Sequence, residues 1–252
     1  MQPISLFGFL AFFVASLTVG VRLLLLWRRT RQLPELLIGI GVLGIGPVGF
    51  GAMMIGHTLI AQGAPLTGLA PRVCFAIGYA MVFIGVTSKL VFNWRVYHPD
   101  VAWLRGVVAL LSVVLCSIYL YFALVQRFIP APKLDAVSLL QSGLQVAALL
   151  WGSFEALRYW RLMARRAAIG LADPVVMNRF LLWGIGAGAA GLGTGIGTVA
   201  SYVTGVPSLQ LPWVVMSSSA HGLIAAIAMS LAFLPPKSYL GFIAGKRTPA
   251  SA

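Results

Sequence analysis

Two ionisable side chains fall well inside long apolar stretches of this chain. Lys89 lies in the third stretch, and Glu155 in the fifth is the only carboxylate well inside any of them. At about 1.5 Å per residue, both lie about 27–30 Å from the starts of their stretches. A lysine and a carboxylate at one depth predict an interhelical Lys89–Glu155 ion pair, which would act as a structural clamp or as a switch. Alternatively, Lys89 extends to the membrane surface and Glu155 pairs with Arg158 one turn along.

A second polar set lies toward the opposite end of these stretches. Its members are Gln141, Gln145, Ser217, Ser218, His221 and, in the second stretch, His57. Gln141 and Gln145 are one helical turn apart, so they share a helix face. Polar groups at this depth avoid lipid, which predicts a ligand pocket open at that end and lined mostly by apolar side chains. In the alternative, these groups only hydrogen-bond neighbouring helices together.

Histidine pairs raise the question of a cofactor. Two imidazoles such as those of His57 and His221 can ligate haem. However, His221 lies about ten residues below the outer surface while His57 lies near it, and no carboxylate is near either ring to orient it. We therefore predict no cofactor and no metal, with haem on His57 or His221 as the alternative. Ser217 precedes His221 by one turn, but no GxSxG motif and no third orienting group accompany them, so we predict no catalytic site.

Seven apolar stretches must position these residues. Each is near the ~20 residues that cross a ~30 Å hydrocarbon layer, and backbone groups in lipid must bond internally, which predicts helices. Their predicted bounds are 4–27, 36–59, 71–94, 101–126, 136–160, 179–204 and 212–234. The expected fold is an all-α integral membrane bundle in one domain, 1–252, with a short basic tail at 235–252. Pro47 is expected to kink the second helix.

The composition excludes a water-soluble fold. Of the 252 residues, 60% are hydrophobic and 9% are charged, whereas soluble domains have about 25% charged residues. The net charge of +13 would suggest nucleic acid in a soluble protein. Here no basic stripe with interleaved aromatic residues lies outside the apolar stretches. We expect anionic lipids as partners at the cytoplasmic face and no nucleic acid.

Basic residues predict the orientation. They cluster after the odd-numbered stretches and in the tail, as Arg28, Arg29, Arg31, Arg95, Arg105, Arg161, Arg165, Arg166, Arg179, Lys237, Lys246 and Arg247. The other connections have only Arg72, Arg127 and Lys133. The positive-inside rule then predicts an outside N-terminus and a cytoplasmic C-terminus, in a bacterial inner membrane or a plasma membrane. Trp94 and Trp183 are expected in the inner aromatic belt.

This topology resembles that of microbial rhodopsins and of seven-helix receptors. Microbial rhodopsins bind retinal through a lysine in the middle of the last helix. The seventh stretch here has no lysine before Lys237, which follows Pro235-Pro236. Covalent retinal is therefore not expected, and the resemblance is one of topology.

The expected function is that of a non-enzymatic receptor or sensor. It would bind a small or apolar ligand in its outer half and signal to a cytoplasmic partner through helix shifts at its inner end. A small-solute transporter is the alternative, although charges near the midplane are scarce. An intramembrane enzyme or a haem-binding redox protein is the third hypothesis.

Overall fold

The computed structural model describes residues 3–130 and 134–245, so Lys133 and residues 246–252 of the tail lie outside the described part. Within it the α-helices are α1 (Pro3–Thr30), α2 (Leu33–Leu43), α3 (Gly51–Ala61), α4 (Leu69–Tyr97), α5 (Ala102–Leu124), α6 (Ala136–Ala168), α7 (Pro174–Thr204), α8 (Pro212–Phe233) and α9 (Lys237–Gly245). A π-helical turn, Gly44–Phe50, joins α2 to α3. Seven helical units are long and apolar enough to cross a membrane: α1, the joined α2–α3 unit, and α4 to α8. The predicted all-α class and the seven long apolar helices are confirmed.

Several helices extend beyond the bounds predicted from hydropathy. Helix α6 continues to Ala168 rather than residue 160, and α7 begins at Pro174 rather than residue 179. Hydropathy shows where the apolar composition ends, but backbone hydrogen bonds continue through charged residues that favour helix. The added turn or two places Arg161, Arg165 and Arg166 on regular helix.

Local sequence signals begin and end these helices. Asp135 Oδ1 accepts the Ser138 N–H at 2.8 Å at the start of α6, and Asp173 does the same for Val175 at the start of α7. Side-chain caps of this kind satisfy N–H groups that have no partner in the first helical turn. Helix α7 ends at Gly205, whose φ of 65° lies in the left-handed region that glycine adopts freely.

The second membrane unit is interrupted at Pro47. Gly46, the residue before it, has φ −90° and ψ −107°, which is not helical. Proline removes one backbone donor and its ring opposes the preceding turn, so the chain widens into the π-helical turn between α2 and α3. The predicted kink is confirmed.

The long helices form a closed ring. In order around it come α1, the α2–α3 unit, α4, α6, α7 and α8, and α8 packs back onto α1. Helix α5 lies outside the ring and packs on α4 and α6, through a core that includes Val86, Leu115 and Ala148. Neighbours along the chain are antiparallel: Gly184 of α7 packs near Leu157 of α6, and at their other ends Gly195 packs near Val146.

This antiparallel order gathers the arginine-rich segments at one end of the bundle. Helices α1, α4 and α6 end there and α7 begins there, and we call it the basic end. Helix α9 also lies at this end, where Asn178 Nδ2 of α7 donates to the Tyr239 hydroxyl at 2.9 Å. The part of the tail up to Gly245 is thus a short helix docked on the bundle.

Candidate functional site

Lys89 is enclosed in the half of the bundle that contains the basic end. Its side chain is only 4% exposed and lies among α4, α6 and α7. The amine Nζ lies 4.0 Å from the centroid of the Trp183 ring and 5.2 Å from that of Phe92. Among the described residues it has no hydrogen-bond partner. Aromatic faces stabilise a desolvated ammonium by about 2 kcal/mol, which is less than the cost of burying it.

Gly152 of α6 makes room for this amine. A Cβ atom at Gly152 would lie 2.8 Å from Lys89 Nζ and 2.9 Å from Asn93 Oδ1. The lysine amine and the asparagine carbonyl oxygen therefore face the same spot on the α6 backbone. Asn93 is fully buried, and its Nδ2 donates to the Ala148 carbonyl at 3.1 Å. Its Oδ1 has no partner within the described part of the chain, so it is a hydrogen-bond acceptor beside the amine.

Glu155 lies one turn farther along α6, toward the basic end. It is 4% exposed, and its Oε1 lies 2.8 Å from His98 Nε2 at the end of α4. Arg158 Nη1 lies 3.5 Å from Oε2, an ion-pair contact without hydrogen-bond geometry. The His98 ring stacks on Trp151 at 6.4 Å. Glu155 thus ties the end of α4 to α6.

The predicted Lys89–Glu155 ion pair is not formed. Within the described residues the ion pairs of Glu155 are those to His98 and Arg158. Lys89 instead meets Gly152, one turn earlier on α6. Counting from the helix starts placed the two residues level, but α4 and α6 begin at different heights, which shifts the register by about one turn. In the alternative hypothesis, the Glu155–Arg158 contact is confirmed and the extension of Lys89 to the surface is wrong.

The sequence did not predict that Asn93 and Trp183 lie beside Lys89 or that His98 contacts Glu155. Trp183 was expected in an aromatic belt but is 8% exposed and packs on Lys89, Phe92 and Phe233. No signal in the sequence distinguishes a buried tryptophan from a belt tryptophan. Asn93 does have a signal, since it lies one turn after Lys89 on the same face. We refer to Lys89, Asn93, Glu155, His98 and Trp183 as the polar cluster.

The predicted pocket residues do not meet in the structure. Gln141 Nε2 donates to Gln145 Oε1 at 3.3 Å along α6, and His221 Nδ1 lies 2.7 Å from the Ser217 carbonyl oxygen along α8. Helix α7 packs between α6 and α8, so within the described residues these two sets face different neighbours.

The remaining two pocket candidates are exposed. Ser218 lies at the surface of α8, and His57 lies at the surface of α3 with its ring 4.9 Å from that of Phe75. His57 is thus separate from His221, on another helix of the ring. None of the six residues belongs to the walls of the two grooves described below.

The half of the bundle away from the basic end contains a groove that differs from the predicted pocket. An open groove of about 520 Å³ lies between α6 and α7, away from the basic end. Its wall is apolar and consists of Val146, Leu150, Gly191, Leu192, Gly195, Ile196, Val199, Ala200, Val203, Thr204 and Trp213. The only hydroxyl among these, that of Thr204, donates to the Ala200 carbonyl at 2.7 Å. The groove offers van der Waals contact rather than hydrogen bonds.

The chain matches no protein-family model, no curated protein and no solved structure in comparisons with each. In the described residues no group of three or more His, Cys, Asp or Glu side chains could hold a metal ion. The described residues give an apolar groove at one level of α6 and a buried polar cluster at another.

Proposed function

We propose that this protein is a membrane sensor that binds a lipid-like apolar ligand in the groove between α6 and α7 and responds through the polar cluster. The observation that carries the proposal is the groove itself, which is wholly apolar and lies between the two helices that also hold Lys89. Binding sites for small molecules have about 300–1,000 Å³, and this groove of about 520 Å³ fits that range.

The occupant is lipid-like because the groove opens among lipid-facing side chains. Leu192, Val199 and Val203 are 51%, 61% and 76% exposed on the same face of α7. Gly191 and Gly195 keep the floor of the groove low, since neither has a side chain to fill it. A polar solute would find no hydrogen-bond partner on this wall, whereas a hydrocarbon chain has no hydrogen bonds to give up when it enters.

The groove and the polar cluster lie next to each other along α6. Leu150 of the groove wall and Gly152 beside Lys89 are two residues apart on α6. Ser153 Oγ of α6 also donates to the Gly184 carbonyl of α7 at 2.7 Å, next to Trp183. A ligand that separates α6 from α7 would move Gly152 against Lys89 and shift the Glu155–His98 contact. Helix shifts of about 1–2 Å are a common way to transmit such signals.

We also propose that the basic end of the bundle lies in the cytoplasm. Arginines at the ends of α1, α4 and α6 would then face the cytoplasm and a signalling partner there, in a bacterial inner membrane or a plasma membrane. A phosphatase reporter, which is active only outside, is expected to be inactive when fused after residue 245 and active when fused in the Gln62–Gly68 connection. The reverse pattern would contradict the orientation and leave the groove on the cytoplasmic side.

The groove is tested by filling it. Gly195→Leu adds a side chain into it, since a Cβ atom there would lie 3.7 Å from Val146, an ordinary contact. The probe is a phosphatidylcholine with a diazirine on one acyl chain, photolysed in vesicles and mapped by mass spectrometry. The wild type is expected to be labelled at Val199 and Val203 several times more than at Val113, an exposed position on α5. Gly195→Leu is expected to abolish this preference.

Gly143→Leu is the matched control. Gly143 lies on α6 with nothing within 4 Å of its Cβ position and outside the groove, so labelling should keep its wild-type pattern. Equal labelling of α5 and α7 in the wild type would show ordinary lipid contact and overturn the proposal.

A small-solute transporter is the second candidate, and one observation favours it. The α2–α3 unit is broken at Gly46 and Pro47, and interrupted helices are typical of transporter binding sites. A transporter requires a polar path open from both faces in turn, so solute uptake into vesicles, absent with a sensor, distinguishes the two.

A further inference from the structure

A second groove lies at the basic end, on the outer face of α6. It has a volume of about 300 Å³, and its wall consists of Phe154, Leu157, Arg158, Arg161, Leu162 and Arg165. We infer that this groove binds an anionic phospholipid, with the headgroup phosphate on the arginines and an acyl chain along the apolar residues. Lipid binding here does not depend on the proposed ligand groove, because the two grooves share no wall residue and lie in opposite halves of the bundle.

The order of residues along α6 matches the order of groups in a phospholipid. Phe154 is 65% exposed and lies deepest, Leu162 is 41% exposed, and Arg165 lies nearest the end of the helix. The three arginines are spaced by three and four residues, so they share one helix face. A guanidinium group can donate two parallel hydrogen bonds to a phosphate, which a lysine cannot do.

Charge complementarity selects an anion for this groove. No carboxylate is part of its wall, and in the described part of the chain neither Arg161 nor Arg165 forms an ion pair. Arg158 is shared: it belongs to the wall and also contacts Glu155 at 3.5 Å. The apolar half of the wall favours a lipid over free phosphate, since free phosphate has no chain to bury against Phe154 and Leu157.

The shared arginine links the lipid to the polar cluster. A headgroup that takes hydrogen bonds from Arg158 competes with Glu155 for it and leaves the carboxylate to His98 alone. By thermodynamic reciprocity, loss of the Glu155 charge should free Arg158 and tighten lipid binding. The contacts of Glu155 in the polar cluster therefore change with the headgroup composition of the surrounding lipid.

The test measures binding of phosphatidylglycerol relative to phosphatidylcholine by native mass spectrometry of the full chain. The variant is the double change Arg161→Gln and Arg165→Gln, which leaves Arg158 and Glu155 intact. A basic side chain near an anionic lipid contributes about fivefold in affinity. The preference for phosphatidylglycerol is therefore expected to fall by roughly 25-fold in the double variant.

The matched control is Arg28→Gln with Arg29→Gln, which removes the same charge from the exposed end of α1 at the same end of the bundle. It is expected to keep the preference for phosphatidylglycerol. An equal loss in both variants, or no preference in the wild type, would overturn the inference in favour of a diffuse surface charge. Full displacement of phosphatidylglycerol by excess inorganic phosphate would also overturn it, by showing that the acyl chain contributes nothing.

Discussion

Glu155→Gln is expected to lower the stability of the protein by about 3 kcal/mol. The change keeps the shape and one hydrogen bond to His98, but it removes the charge of a buried carboxylate one turn from Gly152, which Lys89 contacts. A buried amine without a countercharge nearby is the costly state. For a chain of this size the loss corresponds to roughly 6–12 °C in the thermal midpoint of the detergent-purified protein.

The double change of Glu155→Gln with Lys89→Met is expected to recover most of this loss. Methionine fills nearly the same volume against Trp183 and Phe92 and needs no countercharge. The single change Lys89→Met should leave the midpoint unchanged or raise it, since an unpaired amine is replaced by an apolar group. Glu35→Gln, at the start of α2, serves as the control for a carboxylate outside the cluster. If the double variant loses the sum of the two single effects, Lys89 and Glu155 are not coupled.

Gly44→Ala is expected to cost about 3 kcal/mol through overpacking between the π-helical turn and α4. A Cβ atom at Gly44 would lie 2.5 Å from the Met81 carbonyl oxygen and 3.0 Å from the Gly85 Cα. Both are backbone atoms, so no side-chain rotation relieves the contact and the two helical segments must separate. The same thermal midpoint measures the effect.

The control for Gly44→Ala is Gly143→Ala. Nothing lies within 4 Å of the Gly143 Cβ position, and alanine favours helix over glycine by about 1 kcal/mol. The control should therefore equal or exceed the wild type in stability. A Gly44→Ala variant as stable as the control would mean that α4 does not approach the π-helical turn as closely as described.

The long apolar helices and the break at Pro47 could be predicted because each depends on local composition. Apolar length determines whether a segment can cross a bilayer, and proline disrupts its own turn wherever it lies. Neither property depends on which helices become neighbours. The alternative in which Glu155 contacts Arg158 was also of this local kind, since that pair lies within one helix.

The partners of the polar cluster could not be predicted because they depend on relative height and on ring order. A shift of one turn between α4 and α6 replaces a Lys89–Glu155 contact by a Glu155–His98 contact. Nor does the sequence of α6 and α8 show that α7 packs between them, which keeps Gln145 apart from His221. The groove between α6 and α7 exists because glycines such as Gly195 have no side chain to fill it. Counting apolar residues along the sequence does not reveal such a gap.

The closed ring has a consequence for synthesis. The backbone of Gly8 near the start of α1 packs against Ser219 and Gly222 of α8, the last long helix. About 210 residues separate these partners, which a ribosome adds in roughly 10–40 s. Throughout that interval one flank of α1 has only lipid or the insertion machinery beside it, so a translation pause before α8 should expose the nascent chain to membrane proteases.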